Sequence, residues 1–399
     1  MEKENYKKYF EIYDKQELVY FDNSASTLKP KCVCDVVDYY NRFESVNSGR
    51  GMYKLAYDVT NKVEKARRKV ALFIGAESEE IIFNKNTSEG INTVALTYAK
   101  QNLKKGDKIV LSQIEHNSNY LPWVMLAKSI GAMVVDCPLD ENGKITVSNF
   151  KKVVDEKVKF VALNFVSNTL GYVTPIKEII KLAHKAGAKV LVDASQAISH
   201  KKIDVKDLDC DFLTFSGYKM FAPTGVGVLF GKKELLEKTE PLFYGGGMVV
   251  DFEEQNIVLK ELPSKFEAGT LPISSILGLG EAVDFVNSIG QQKIEEKEKE
   301  LLNYLMQKLS FVNGVEIYLD KPDLPIIIFN ILNVHAHDAV SMYDQFNICV
   351  RAGNHCALGV NKLIKQIASI RVSLAFYNTF EDIDKFVFAT EQIIKFFNK

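Results

Sequence analysis

The chain has 399 residues, with 50 lysines and arginines against 51 aspartates and glutamates, a formal net charge of −1. That balance argues against a general nucleic-acid binder, which shows a basic excess. With 47% hydrophobic and 25% charged residues the composition is that of a soluble globular protein, and the length predicts two or three domains. Met1–Lys15 is charged and aromatic with no apolar run, so no secretory signal is expected. The longest apolar run, Leu324–Leu332, is too short to span a bilayer and contains Pro325 and Asn330. The six cysteines (Cys32, Cys34, Cys137, Cys210, Cys349 and Cys356) form no regular framework. A reducing cytoplasm is therefore the expected location, and any special thiol is expected to be chemical rather than structural.

Along the chain, short β-branched or aromatic runs alternate with helical patterns from about residue 60 to residue 235. Val63–Ile74 reads as a helix, with Val63, Ala66, Val70 and Phe73 on one stripe and Gly75 at its end. A second helix follows Thr87–Ser88, with Ile91, Val94, Ala95 and Tyr98 at helical spacing. Lys108–Leu111, Met133–Val135, Phe160–Phe165, Lys189–Val192, Phe212–Phe215 and Gly227–Phe230 read as strands. Alternation of this kind predicts an α/β fold whose mostly parallel sheet is covered on both faces. From about Leu271 the pattern changes. Helical runs at Gly278–Ile289 and Leu301–Leu309 flank a charged stretch, Glu295–Glu300, that reads as a solvated helix face. Strand-like Ile326–Leu332 and Ile348–Arg351 and a last helix, Asp382–Phe397, complete a smaller α+β domain. The expected division is an N-terminal segment 1–17 packing with the small domain, a large domain 18–285 and a small domain 286–399.

Ligands of open α/β sheets bind beyond the carboxyl ends of the strands. Here those ends run into Glu115-His116-Asn117, Ser167-Asn168, Asp193 with Gln196, and Ser216-Gly217-Tyr218-Lys219. Any one of them is accounted for by the polarity of loops, whereas four together point to a site. A carboxylate at one strand end and a lysine at the next suit a cofactor with a pyridinium nitrogen and an aldehyde. Asp193 would keep the ring nitrogen protonated and Lys219 would bond the aldehyde. Asn86-Thr87-Ser88-Glu89-Gly90 offers hydroxyls and backbone N–H groups at a helix N-terminus, where a phosphate is favoured. Taken alone, Thr87–Ser88 is equally an ordinary N-cap. No G-x-G-x-x-G follows an early strand, and Gly231-Lys232-Lys233 departs from a P-loop at both ends.

The stretch Val350–Gly359 follows a strand and sets Cys356 in a Gly-bounded polar loop. His355 and Arg351 are near in sequence, and positive charge or a base favours thiolate. Cys137, Cys210 and Cys349 read as small buried hydrophobes. A metal site built from His335, His337, His355 and Cys356 matches no usual zinc spacing. Arg371 offers a fork for a substrate carboxylate.

With these pieces in order the chain resembles the class V aminotransferase-like cysteine desulfurases, in particular the SUF-type and selenocysteine-lyase-like group, over roughly Leu18 to Glu381. The likeness runs through Tyr20–Ser26, Arg50-Gly51, Asn86–Asn92, Glu115-His116 with Asn119, Val166–Asn168 and Val192–Gln196. It continues through Phe215–Gly217 with Lys219, Phe266–Thr270, Arg351-x-Gly353-x-His355-Cys356-Ala357, and Arg371 with Tyr377-Asn378. The resemblance implies a pyridoxal 5'-phosphate enzyme of fold type I with a mostly parallel seven-stranded sheet, acting as a homodimer.

It implies that His116 stacks on the cofactor ring and that Gln196 and Asn168 reach the ring-oxygen region. Thr87, Ser88, Ser216 and Tyr218 would serve the phosphate, and Thr270 the phosphate of the partner subunit. Ala25, Asn168, Arg351 and Arg371 would meet the substrate. Lys219, Cys356 and His116 would be catalytic, turning L-cysteine, with L-selenocysteine as a second candidate, into alanine and a persulfide on Cys356. An acceptor or scaffold protein of iron–sulfur assembly would take the sulfur, with no nucleic acid and no membrane involved. Tyr53, Asn117, Tyr218 and Gly359 depart from the family's usual residues, and Gly359, in place of a proline, is expected to loosen the cysteine loop. Two rivals stay open: another fold type I enzyme acting on a small amino acid, in which Cys356 is dispensable, and a catalytically silent interaction partner.

Overall fold

The computed structural model describes residues 5–49, 51–253, 256–319 and 321–397, so Arg50 of the Arg-Gly pair lies outside the described residues. Its centre is a seven-stranded sheet of β1 (Ile81–Asn84), β2 (Lys108–Leu111), β3 (Met133–Asp136), β4 (Val158–Asn164), β5 (Lys189–Asp193), β6 (Phe212–Ser216) and β7 (Gly227–Gly231), in the order β1-β7-β6-β5-β4-β2-β3. Strand β7 runs antiparallel to both its neighbours and every other pairing is parallel, as expected. The inner strands are buried almost throughout because both faces of the sheet are covered, which is why they read as continuous apolar runs. Strand β1 is the one that periodicity does not flag: it is four residues long and follows directly on Glu79-Glu80.

Four helices matter for the site: α1 (Lys31–Phe43), α2 (Lys54–Ile74), α3 (Thr87–Val94) and α4 (Ile273–Ile289). The buried stripe of α2 begins at Ala56 and Val59, upstream of the predicted start, and the helix ends on Gly75 at φ 74°. The predicted charged stretch and Leu301–Leu309 form one helix, α5 (Gln291–Leu309). Its charged face is not wholly solvated, because Glu298 is buried and bonds His200 Nδ1 at 2.7 Å.

Beside the large sheet lies an antiparallel sheet of β8 (Val315–Tyr318), β9 (Ile326–Ile331), β10 (Arg351–Gly353) and β11 (Ser369–Ser373), ordered β8-β9-β11-β10. Leu301 and Leu305 of α5 and Phe386 of the last helix, α6 (Phe380–Phe397), pack in one core with Ile327 and Phe329. The run predicted as one strand, Ile348–Arg351, is divided. Ile348–Cys349 pairs in parallel with Val19–Tyr20, and the chain then turns so that Arg351 can pair with Arg371. Two partners in different directions require the break. Upstream, Phe10 lies 4.4 Å from the Tyr377 ring and 6.0 Å from Phe285, and Lys7 Nζ lies 2.6 Å from Asp382 Oδ1. No helix among the described residues is long and apolar enough to cross a membrane.

One buried ion pair ties α2 to the segment that carries Thr270. Arg67, only 2% exposed, donates from Nη1 to Glu267 Oε1 at 2.7 Å and from Nη2 to Oε2 at 2.9 Å. Nη1 also donates to the Ile81 carbonyl at 2.8 Å, and Glu267 Oε1 accepts the Phe83 N–H at 2.8 Å. Arg67 Nε also donates to the half-exposed Glu64 at 3.1 Å, so removing Glu267 leaves the buried guanidinium with a solvent-facing partner only. Glu267→Ala is expected to lower the urea unfolding free energy by about 3–5 kcal/mol; a loss within ordinary surface-mutant scatter would show that the pair is dispensable.

Candidate active site

The carboxyl ends of β4, β5 and β6 and the N-terminus of α3 converge on one cavity. Thr87, Ser88, His116, Asn168, Asp193 and Lys219 line it, joined by Gln196, Ser216 and Tyr218. Nine of the residues singled out from sequence are thus brought together. The cap of α3 is not Thr87 or Ser88 but Asn86, whose side chain accepts the Glu89 N–H at 3.1 Å. That substitution of roles releases both hydroxyls. Thr87 Oγ1 lies 2.7 Å from Ser195 Oγ and 2.8 Å from Ser216 Oγ, and Ser88 Oγ lies 2.6 Å from Ser118 Oγ. Ser195 and Ser118, which also line the cavity, carried no sequence signal of their own. A cluster of hydroxyls at a helix N-terminus, where backbone N–H groups are unpaired, is a fitting cradle for a phosphate.

The titrating groups lie around this cradle. Asp193, buried at the end of β5, accepts the Ser195 N–H on Oδ1 at 2.9 Å. The Lys219 amine makes no hydrogen bond among the described residues, and burial pushes it from 10.5 down to about 8, with Arg371 adding to the fall and Asp193 opposing it. His116 is pushed down to about 4, first by burial and then by Lys219. Its Nδ1 accepts the Ser118 N–H at 3.1 Å, so the neutral ring carries its proton on Nε2. Beneath it, the fully buried Glu115 accepts from Ser112 Oγ at 2.6 Å, Asn119 Nδ2 at 2.7 Å and Asn164 Nδ2 at 2.8 Å. Burial raises Glu115 to about 8 despite those three donors.

The cysteine loop reaches this wall from the small sheet. Asn168 Nδ2 donates to the His355 carbonyl at 2.9 Å, and the Asn117 N–H donates to the Cys356 carbonyl at 2.7 Å. His355 and Cys356 are consecutive left-handed residues, at φ 52° and 54°. Cys356 is exposed, whereas Cys137 and Cys210 are buried and Cys349 is half-buried. The thiol acts electrostatically on Lys219, Tyr218, Arg351 and Arg371. His355 does not supply the expected base: it is buried, its Nε2 lies 3.1 Å from the Ser369 carbonyl and hydroxyl, and burial pushes it down to about 3. It anchors the loop instead.

Arg371 Nη1 donates to the Asn168 carbonyl at 3.1 Å and Nη2 to Asp22 Oδ1 at 3.0 Å, while its buried Nε has no partner among the described residues. Arg351 donates to the same Asp22 carboxylate, Nη2 to Oδ2 at 2.8 Å. Asp22 stood in the Tyr20–Ser26 motif with no role attached. Gly359 also departs from expectation. A β-carbon there would lie 2.0 Å from the Gln113 carbonyl oxygen, so the glycine marks a close approach of two backbones rather than slack.

Gln196 lines the cavity while tied to the N-terminal side of the chain, and the other residues fall elsewhere. Gln196 Nε2 donates to the Ser24 carbonyl at 2.8 Å, and Ala25 sits in a turn on the Asp22 carbonyl without lining the cavity. Thr270 lies in a different surface cavity, its hydroxyl 3.4 Å from Asn47 Nδ2. The His335 and His337 rings stack on each other at 5.2 Å, and no cluster of three metal-ligating side chains occurs among the described residues.

Residues 19–386 match the family model described as aminotransferase class-V. The chain belongs to that family. It is 43% identical over 397 residues to a probable cysteine desulfurase of Halalkalibacterium halodurans, covering 98% of both chains. It is 39% identical over 378 residues to a cysteine desulfurase of Escherichia coli, covering 94% of this chain and 93% of the relative. The apo structure of a cysteine desulfurase from Thermococcus onnurineus superposes with a TM-score of 0.93 at 36% identity, covering 98% of this chain and 97% of that one. The architecture is that of the fold type I pyridoxal-phosphate enzymes.

Pyridoxal 5'-phosphate is the cofactor of this family, and the cavity fits it: hydroxyls at a helix N-terminus, a buried carboxylate and a desolvated lysine share one space. A lysine amine bonds an aldehyde only when neutral. With Lys219 at about 8, the rate at which the cofactor is taken up by stripped protein, followed by visible absorbance, is expected to rise with pH and reach half its maximum near pH 8. A midpoint near the ordinary lysine value of 10.5 would overturn the desolvation argument.

Proposed function

We propose that the protein is a cysteine desulfurase, taking sulfur from L-cysteine as a persulfide on Cys356 and releasing L-alanine. The observation that carries this reading is geometric: the loop bearing the exposed Cys356 is bonded, through Asn168 Nδ2 to the His355 carbonyl and the Asn117 N–H to the Cys356 carbonyl, against the wall of the cavity that Lys219 lines. Bound pyridoxal phosphate supplies an aldehyde and a ring that withdraws electrons from the substrate α-carbon.

The rest is the work of the chain. Lys219 would hold the cofactor and serve as the base for the substrate α-proton. Asp193 would keep the ring nitrogen protonated, His116 would pack against the ring, and Thr87, Ser88 and Ser216 would hold the phosphate, with Tyr218 beside them. Asn168 and Gln196 would serve the ring-oxygen side. Arg371 binds the substrate carboxylate with its free Nε and the edge not taken by Asp22, Arg351 adds positive charge, and Ala25 borders the substrate. The Cys356 sulfur then forms a bond to the substrate sulfur as the substrate's Cβ–S bond breaks. The carbon skeleton takes up a thiol proton at Cβ and the α-proton back from Lys219 and leaves as alanine, so atoms and charge balance without an external oxidant.

The same reading carries finer expectations. The acting species is a homodimer in which Thr270 serves the partner's phosphate, in keeping with its position away from Lys219 in its own chain. The division into residues 1–17, 18–285 and 286–399, the cytoplasmic location, transfer to an acceptor of iron–sulfur assembly and a parallel activity on selenocysteine belong to the proposal as well.

The test is to supply cysteine and reductant and measure alanine and sulfide. Cys356→Ser is expected to keep the cofactor's visible absorbance and lose at least ~100-fold in sulfide release. Full activity in that variant, with a keto acid or an epimer as product, would move the protein to another fold type I reaction.

A further inference from the structure

The cysteine loop is joined to the cavity wall through three contacts at backbone level, and the last has a feature the first two lack. The His355 carbonyl is held by Asn168 Nδ2 at 2.9 Å and the Cys356 carbonyl by the Asn117 N–H at 2.7 Å. Three residues on, at the start of the short helix Leu358–Leu363, Gly359 meets Gln113. A β-carbon on Gly359 would stand 2.0 Å from the Gln113 carbonyl oxygen, 2.9 Å from its carbonyl carbon and 3.3 Å from its α-carbon. These are backbone atoms, which cannot swing aside as the end of a long side chain does.

Gln113 lies two residues before Glu115, whose three hydrogen bonds fix the turn that presents His116. The turn is therefore a rigid abutment. A side chain at residue 359 must lift the helix start away from it, and the short connection back to Cys356 passes the displacement to the thiol. The strain of two consecutive left-handed residues just upstream means that the loop takes its shape from being docked.

We propose that Gly359 is the positioning residue for Cys356: its missing side chain lets the loop seat on the Ser112–His116 turn, and that seat sets the thiol's distance from the cavity. The inference rests on the reading of Cys356 as the sulfur-accepting thiol, and it is separable from that reading by experiment. Gly359 touches neither substrate nor cofactor and acts through the loop alone.

The test uses the cofactor-loaded enzyme. Gly359→Ala is expected to retain the visible absorbance and the KM for cysteine, lose tenfold or more in kcat, and raise the iodoacetamide alkylation rate of Cys356 several-fold. Leu358→Ala, an exposed neighbour, should match wild type in all four readouts. A wild-type measurement guards against a variant that fails to fold: the Asn117 amide, bonded to the Cys356 carbonyl, should exchange with deuterium slowly, and faster in Gly359→Ala. An unprotected Asn117 amide in wild type, or an unchanged alkylation rate in a well-folded Gly359→Ala, overturns the seat whatever the activity. Altered alkylation together with a fully active Cys356→Ser leaves the seat standing and removes the desulfurase reading instead.

Discussion

One carboxylate holds two guanidinium groups together, and much of the site follows from it. Arg351 and Arg371 are directly opposed across the antiparallel pair β10–β11, an arrangement that unscreened like charges disfavour. Asp22, two residues past the Val19–Tyr20 strand, lies between them and bonds both. The same segment is joined to β11 by backbone, where the Ser373 N–H donates to the Phe21 carbonyl at 2.7 Å. An N-terminal strand, the edge of the small sheet and the loop leading to Cys356 are thereby locked in register. The two arginines differ in what they can do next. Arg371 is 3% exposed with an unpaired Nε, a donor whose burial costs about 1–3 kcal/mol until an acceptor arrives. Arg351 is 48% exposed and already has its fork on Asp22, so it contributes charge more than contact.

The electrostatics of the main cavity have a similar logic. Burial is the largest influence on Lys219, His116 and Glu115 alike, and in each case it favours the neutral form. For Lys219 and His116 that means loss of a proton, and for Glu115 it means keeping one. At pH 7 His116 and Glu115 are then mostly neutral, whereas Lys219, at about 8, still holds most of its charge and titrates just above neutrality.

Much of this was legible in the sequence because parallel sheets announce themselves. Buried strands read as β-branched runs, and their carboxyl ends read as abrupt changes to polar residues, so Asp193, Asn168, Ser216 and Lys219 could be assigned to the carboxyl end of the sheet before any coordinates. What was not legible depends on contacts between segments distant in the chain. Strand β1 is too short and too close to Glu79-Glu80 to show a period. The hydroxyls of Thr87 and Ser88 are freed by Asn86, and capping chemistry alone cannot tell which of three adjacent polar residues will take the cap. His355 looks like a base beside a thiol in one dimension, yet a left-handed backbone turns its ring into the protein and onto Ser369. Two neighbours in sequence point opposite ways.

Gly359 shows the same limit from the other side. Read along the chain, a glycine where relatives carry proline means freedom, because the backbone loses its restraint. Read in three dimensions, the absent side chain is what allows one backbone to lie against another, and close packing restrains more firmly than a single fixed dihedral. On the proposed reading, an exposed sulfur atom that approaches a buried amine and then passes sulfur to an acceptor needs both properties, a definite resting place and a short lever to leave it. The loop from Gly353 to Gly359 supplies them: two strained residues carry the thiol, and one missing β-carbon decides how deeply it sits.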